Sequence, residues 1–358
     1  MPSHWVKAAL AVAIAGAACA TPAAAQQDLA ITAGQPWTHQ HSGISVPPTL
    51  GGNALTVAKA YAEDELDVGL SFEPEGAKDF ISFYVFRNTN GDVPVWTAQA
   101  QWAIENRAAF GKPTLAGAVE AFTPPGQATP SGLKAIYSAE SSGPYTSTGV
   151  ALLPVGDWYV KIRATSRHRS PEELSRLIDQ VLAEIRWPAE IAAAPAAQPV
   201  IPCPVPLSFP KKSKDATSGG MSDILGASLM SVAVNDAKKQ PTPAIQWCRD
   251  KQLGGNIAAY RPAESPDSYL LAYGDNGNGI WAGPSSMNRV FAEIEKTKTA
   301  PPRYGVTLHT AAQDILFFAQ DRLPSPERTI EIINAGRRAS TIGTWGTKRE
   351  VQINSAVK

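Results

Sequence analysis

Short segments rich in apolar, aromatic and β-branched residues recur along this chain, and they predict β-strands. Residues 67–72 alternate small or polar positions with apolar ones, and residues 80–86 and 269–273 are dominated by aromatic and aliphatic side chains. Glycine, proline and asparagine separate these segments at short intervals, as in strands that follow one another through hairpins. The pattern therefore predicts antiparallel sheets.

A helix with strong start signals is predicted at residues 171–185. Ser170 is a good N-cap, Pro171 suits the first helical position, and Glu173 stands three residues after the cap, as in a capping box. Apolar residues then recur at helical spacing along one face, so this helix is expected to pack on a sheet. A similar Ser-Pro-Glu start at Ser325 predicts a second helix near the end of the chain.

Other elements are predicted from weaker patterns. Helices are predicted at residues 53–63 and 97–110, where the spacing of apolar positions is helical. A further helix is predicted at 222–238, although Gly226 lowers the helix propensity of that segment. Asn90-Gly91 is a strong hairpin-turn signal, so a short strand is expected at 93–96. Residues 351–353 are a candidate for an added strand.

The predicted elements occur in the same order in the two halves of the chain, which indicates a duplication. Both halves place Asn-Gly after an aromatic strand and Ser-Pro-Glu before the last helix. The expected fold class is α+β, with two tandem, related domains that are each an antiparallel sheet with packed helices. Residues 26–188 form the first domain, 189–206 an Ala/Pro-rich linker and 207–358 the second domain. If the halves are copies, they should superpose strand for strand.

This order of elements, with a strand and helix that close each half, resembles the PsbP and Mog1 group of α+β folds. It is also similar to secreted bacterial proteins without an assigned function. The resemblance rests on element order and covers each half loosely, so it carries over no functional residue. Because members of that group are largely non-enzymatic, the resemblance favours a non-enzymatic function by analogy of fold.

The N-terminus has the composition of a secretory signal peptide over residues 1–25. Lys7 precedes an apolar run at 8–18 that is too short to span a bilayer, and Ala23-Ala24-Ala25 is a small-residue cleavage site. The expected localisation is periplasmic or secreted. The alternative is a lipoprotein anchored through Cys19, although Gly16 is a poor lipobox residue. No transmembrane segment is expected after the signal is removed.

Charge and cysteine content narrow the possible partners. The chain has 32 basic and 32 acidic residues, and loss of Lys7 with the signal leaves a formal charge of −1. This balance argues against a nucleic-acid partner, which requires a basic surface. Cys203 and Cys248 remain in the mature chain, and an oxidising compartment favours a disulfide between them. A metal site and two free thiols are the alternatives.

Two groups of residues have the composition of a binding site. His39 and His41 would lie on one face of an extended segment, where zinc or copper would accept them if further ligands were present. The alternative is a polar segment near Trp37.

The densest basic group precedes the helix at 171, where an anion could bind. The alternative is a solvated loop whose arginines pair with acidic residues of that helix. The group consists of Arg163, Arg167, His168 and Arg169.

No motif assigns a chemical reaction to this chain. Residues 275–279, Asp-Asn-Gly-Asn-Gly, lack the ligand spacing of a calcium loop and are better explained as a hairpin turn. No cofactor is implied. The expected function is that of a non-enzymatic envelope accessory protein that binds a protein or small ligand. A periplasmic hydrolase without a local motif and a membrane-anchored lipoprotein accessory factor are the alternatives.

Overall fold

The computed structural model describes residues 26–140, 142–216, 243–285, 303–346 and 350–353. Within these ranges the chain is rich in sheet, with two nine-stranded sheets, two small ribbons and three α-helices. The predicted signal peptide, with Cys19, and the predicted helix at 222–238 lie outside the described residues. Among the residues that are described, no helix has both the length and the apolar character needed to cross a membrane.

The first sheet is antiparallel throughout, in the order β1-β6-β7-β8-β13-β12-β11-β10, and β9 pairs with β11. Its strands are β1 (Gln27–Asp28), β6 (Val57–Ala60), β7 (Asp67–Phe72), β8 (Asp79–Arg87), β9 (Thr114–Leu115), β10 (Glu120–Phe122), β11 (Gly132–Ser138), β12 (Ser147–Val155) and β13 (Trp158–Ser166). The ribbons pair β2 (Trp37–Thr38) with β3 (Ser45–Val46), and β4 (Thr49–Leu50) with β5 (Asn53–Ala54). The 3₁₀ turns are Glu63–Glu65 and Ala108–Phe110.

Helix α2 (Pro171–Glu184) covers one face of the first sheet and confirms the strongest helix prediction. The Ser170 side chain accepts a hydrogen bond from the Glu173 backbone N–H, and the Glu173 carboxylate accepts one from the Ser170 N–H. Such a cap stabilises a helix by about 1 kcal/mol. The apolar stripe is buried against the sheet and consists of Leu174, Leu177, Ile178, Val181 and Leu182.

Helix α1 (Val93–Glu105) lies against the opposite face of the first sheet, over β11 and β12. Its outer side contacts the second sheet, so residues 93–100 are buried on every side of the helix. The predicted strand at 93–96 and hairpin at Asn90-Gly91 are therefore wrong. Gly91 does adopt a positive φ of 65°, but the turn leads into a helix that carries a proline in its first turn.

The predicted helix at residues 53–63 is also wrong. The segment forms β5, β6 and the beginning of a 3₁₀ turn instead. In β6 the buried positions, Ala58 and Ala60, alternate with more exposed ones, which places them on the core side of the sheet. A run of alanines at this spacing fits a helix and a strand equally well, and pairing with β7 decides between them.

The second sheet is a meander in which each strand pairs with the next, in the order β14-β15-β16-β17-β18-β19-β20-β21-β22. All pairs are antiparallel except β14 with β15. Its strands are β14 (Ile201–Pro202), β15 (Trp247–Gln252), β16 (Ile257–Pro262), β17 (Tyr269–Tyr273), β18 (Gly279–Pro284), β19 (Tyr304–His309), β20 (Gln313–Phe317), β21 (Arg338–Gly343) and β22 (Val351–Ile353). The added strand expected at 351–353 is confirmed.

Cys203 and Cys248 form the expected disulfide at a Cα–Cα distance of 4.8 Å. The short parallel pairing of β14 with β15 brings the two cysteines together, because Ile201 is the register partner of Cys248. The Cys203 N–H also donates to the Arg249 carbonyl. The bond therefore holds the end of the Ala/Pro-rich segment against the edge of the second sheet.

The two sheets do not have the same strand order, so the expected strand-for-strand correspondence is not observed. In the first sheet β8 pairs with β13, although α1 and four further strands of the same sheet separate the two along the chain. In the second sheet β17 pairs with the next strand, β18. The halves do share their last helix: α3 (Pro326–Asn334) begins at Ser325, whose hydroxyl accepts from the Arg328 N–H.

The two sheets share a hydrophobic core around α1. Trp96 of α1 is fully buried, and its cluster includes Leu152 of the first sheet together with Tyr260 and Leu270 of the second. Ala197, from the Ala/Pro-rich segment, packs into the same cluster. The segment predicted as a linker is thus part of the contact between the two sheets.

Candidate functional site

Part of the first sheet's α1-facing surface forms the floor of a cleft. On β8 and β13 alternate side chains point to this face, and the register pairs Phe80 with Thr165 and Ser82 with Arg163. Tyr84 continues the floor along β8. These side chains are half-buried, whereas their neighbours on the opposite face are buried under α2. The floor therefore presents aromatic, hydroxyl and guanidinium groups on a rigid surface.

Phe110, Tyr145 and Arg107 form a wall beside this floor. The Tyr145 ring lies edge-on to Phe80 and Phe110, with centroid separations of 5.7 and 5.6 Å. Glu73, which follows β7, completes the lining on the other side. The cleft is open to solvent, and its volume of about 490 Å³ includes the space at its mouth.

Two arginines line the cleft and a third, Arg167, flanks it. Arg163 rises from the floor, Arg107 lies over the Phe110 ring at 5.3 Å, and Arg167 lies over the Phe80 ring at 5.1 Å. None of the three forms an ion pair within the part of the chain that the structure describes. A carboxylate or phosphate group bound at the cleft could accept hydrogen bonds from such guanidinium groups.

The structure divides the basic group that the sequence predicts as an anion site. Arg163 and Arg167 lie at the cleft, but Arg169 donates from Nε to the Asp79 carboxylate at 2.9 Å. The ring of His168 lies 3.7 Å from the other Asp79 oxygen. Asp79 of β8 is therefore the acidic partner of both Arg169 and His168. Neither residue forms the pair with Glu172 or Glu173 of α2 that the alternative interpretation of the sequence required.

The two histidines predicted as metal ligands lie near the start of the first half, away from this face. His39 is fully buried; its Nδ1 contacts the Ser42 hydroxyl at 2.8 Å and its Nε2 contacts the Glu65 carbonyl at 2.9 Å. His41 Nε2 contacts the Asp64 carbonyl at 2.9 Å. Across the described ranges, no group of three or more histidine, cysteine, aspartate or glutamate side chains could hold a metal ion.

Both histidines bind a strained piece of backbone. Asp64 and Glu65 have positive φ values of 52° and 55°, a conformation that is uncommon for residues other than glycine. The histidine rings contact the carbonyls of these two residues, and the Trp345 indole N–H donates to the Asp64 carboxylate. Burial lowers the pKa of His39, which favours the neutral ring. These contacts hold both histidine rings against the backbone of residues 64 and 65.

A buried polar network lies at the end of the cleft floor, where the second sheet meets the first. The Lys161 ammonium is buried and lies 2.7 Å from the Asp275 carboxylate and 2.8 Å from the Asp275 carbonyl. It also lies 4.7 Å from the centroid of Tyr84, a residue of the cleft floor. Asp67 of β7 accepts a hydrogen bond from the Asn276 amide at 2.9 Å.

Burial sets the ionisation of this network. It raises the pKa of the Asp67 carboxyl to about 6, against the opposing effects of the Asn276 hydrogen bond and the Lys161 charge. Burial lowers the pKa of Lys161, while the nearby Asp275 carboxylate acts in the opposite direction. The loop that carries Asp275 and Asn276 connects β17 to β18, as the hairpin prediction for residues 275–279 requires.

Most of the cleft was not predicted from the sequence. Its lining residues come from four separate regions of the first half, around β7 and β8, the end of α1, the loop before β12, and β13. The alternation of Phe80, Ser82 and Tyr84 on one face of a strand was the available signal, because it leaves one face aromatic and polar.

Comparison of the chain with protein-family models, curated proteins and solved structures finds no match.

Proposed function

We propose that this chain is an exported, non-enzymatic protein that binds a small organic anion in the cleft of its first sheet. The observation that carries the proposal is the set of three arginines, free of ion pairs within the described residues, around an aromatic-lined cleft. Guanidinium groups suit carboxylate and phosphate oxygens, and the aromatic rings suit a flat apolar body. The ligand is thus an acid with an apolar group.

The composition of the lining supports binding more than catalysis. A serine nucleophile needs a base to remove its proton, most often a histidine. Among the described residues that line the cleft there is no histidine, cysteine or lysine; the hydroxyl groups belong to Ser82, Thr165 and two tyrosines. The disulfide between Cys203 and Cys248 is compatible with the proposed export.

Isothermal titration calorimetry with 3-phenylpropionate tests the proposal, with 3-phenyl-1-propanol as the neutral counterpart. The anion is expected to bind more tightly than the alcohol. Arg163→Gln is expected to lower the affinity for 3-phenylpropionate by about tenfold or more, because a hydrogen bond to a charged group is worth about 1.5–3 kcal/mol. Arg167→Gln should have a smaller effect, since this exposed arginine flanks the cleft.

Arg176→Gln is the matched control, because Arg176 is exposed on α2, which covers the other face of the sheet. This variant should bind 3-phenylpropionate as the original protein does. Absence of binding to the original protein, or equal affinity for the acid and the alcohol, would refute the proposal. So would an Arg163→Gln variant that retains full affinity.

A further inference from the structure

The cleft contains a negative charge opposite its arginines. Glu73 is the one acidic residue among the described residues that line it. It directly follows β7, while Arg163 stands on β13, and Ser82 of β8 lies between them. The Ser82 hydroxyl contacts the Glu73 carboxylate at 3.4 Å, which turns that carboxylate toward the floor.

These opposite charges share a cleft without pairing. Glu73 forms no ion pair with any described residue, and neither does Arg163 or Arg107. The strands that carry Glu73 and Arg163 flank β8, so their backbones are about 10 Å apart, since neighbouring strands are spaced by about 4.8 Å. The space between the two charged groups is occupied by the small side chain of Ser82.

We infer that the ligand is zwitterionic and belongs to the aromatic α-amino acids. This inference rests on the proposed function and specifies its ligand. The carboxylate would lie at Arg163 and Arg107, and the ammonium at Glu73. The aromatic side chain would pack on the rings of Phe80 and Tyr145.

The position of Glu73 favours a zwitterion over a simple acid for an electrostatic reason. A carboxylate placed near Arg163 also experiences repulsion from Glu73 across the floor, and an ammonium on the same ligand converts this repulsion into attraction. The arginines alone would bind any organic acid; the added carboxylate discriminates between acids that have an amino group and acids that lack one.

Three probes of similar size separate the possible ligands in calorimetric titrations. L-Phenylalanine has both charges, 3-phenylpropionate has the carboxylate alone, and 2-phenylethylamine has the ammonium alone. The original protein is expected to bind L-phenylalanine about fivefold or more tightly than either other probe. Glu73→Gln should remove the preference over 3-phenylpropionate and leave the affinity for 3-phenylpropionate equal or higher.

Glu75→Gln is the control, because Glu75 is exposed two residues further along and does not line the cleft. It should retain the preference for L-phenylalanine. Equal binding of L-phenylalanine and 3-phenylpropionate by the original protein would overturn the inference and leave the proposed anion site intact. A preference that survives in Glu73→Gln would also overturn it. Failure of every probe to bind would refute both proposals. The comparison of probes on the original protein does not depend on the folding of any variant.

Discussion

Replacement of Asp67 by asparagine is expected to stabilise the protein at neutral pH. The Asp67 side chain is 6% exposed, at the contact between the two sheets, and it accepts a hydrogen bond from the Asn276 amide. Burial without full compensation raises the pKa of this carboxyl from 3.8 to about 6. At pH 7.5 the group is therefore ionised in a place that disfavours its charge.

The size and sign of the effect follow from the difference between the folded and unfolded pKa values. Since one pKa unit corresponds to 1.36 kcal/mol, a change from 3.8 to about 6 corresponds to about 3 kcal/mol. The folded state binds the Asp67 proton more tightly than the unfolded state does, so the stabilising contribution of the protonated carboxyl is complete below pH 3.8. It is lost as the pH rises through about 6, and the ionised group destabilises the fold fully above that pH.

Asparagine keeps an acceptor oxygen for the Asn276 amide and removes the charge. Asp67→Asn is expected to raise the free energy of unfolding by about 3 kcal/mol at pH 7.5 and by about 1 kcal/mol at pH 4.5. Urea denaturation followed by tryptophan fluorescence at the two pH values measures this difference. Asp157→Asn, at an exposed turn between β12 and β13, is the control and should change neither value.

The reasoning would be refuted if Asp67→Asn raised the free energy of unfolding by the same amount at pH 7.5 and at pH 4.5. It would also be refuted if Asp67→Asn destabilised the protein at pH 7.5. The second outcome would mean that the ionised carboxylate stabilises the contact through the charge of Lys161, which lies in the same network.

Two further predictions concern the ion pair that joins the two halves and the disulfide at the edge of the second sheet. Lys161→Met is expected to destabilise the protein by about 3–5 kcal/mol, because it leaves Asp275 without its partner, and Lys161→Met with Asp275→Asn should recover part of that loss in urea denaturation. A Lys161→Met variant as stable as the original protein would contradict this prediction. Replacement of Cys203 and Cys248 by serine should cost about 4 kcal/mol, the chain-entropy value for their separation of 45 residues. Reactive thiols in the oxidised, denatured protein would show that the bond does not form.

Local signals predicted those parts of the fold that depend on local chemistry. The start of α2 was predicted residue by residue, because Ser170 and Glu173 satisfy each other's backbone within one helical turn. The β17–β18 hairpin follows from the Asn-Gly pair at 276 in the same way. The disulfide required only the count of cysteines and the expected compartment.

The helix predicted at 97–110 corresponds to most of α1, but the first turn of α1, at 93–96, was missed because both sides of the helix are covered. A helix between two sheets is apolar all round, so it lacks the one-sided periodicity that identifies a surface helix. The residues Val93 to Trp96 then have the composition of a strand. The same covering by the second sheet changed the meaning of Asn90-Gly91, which turns the chain into α1 instead of into a hairpin.

The candidate site shows a related limit. Arg163 and Arg167 are four residues apart, so they were identified together, but the surfaces beside them come from distant segments. Glu73 in particular has no feature in the sequence that connects it to Arg163. The connection is made by the pairing of β7 and β13 with β8, which is long-range information.

The position of Tyr84 relates the cleft to the contact between the two sheets. Its ring forms part of the cleft floor and lies under the Lys161 ammonium, which is held by Asp275 of the second half. The cleft floor and the interface between the sheets therefore share a residue. A buried lysine needs a carboxylate partner, and here the second half supplies it. The first sheet without the second would expose α1 and take the carboxylate partner from Lys161, beside the floor, so the cleft depends on both halves although its described lining comes from the first alone.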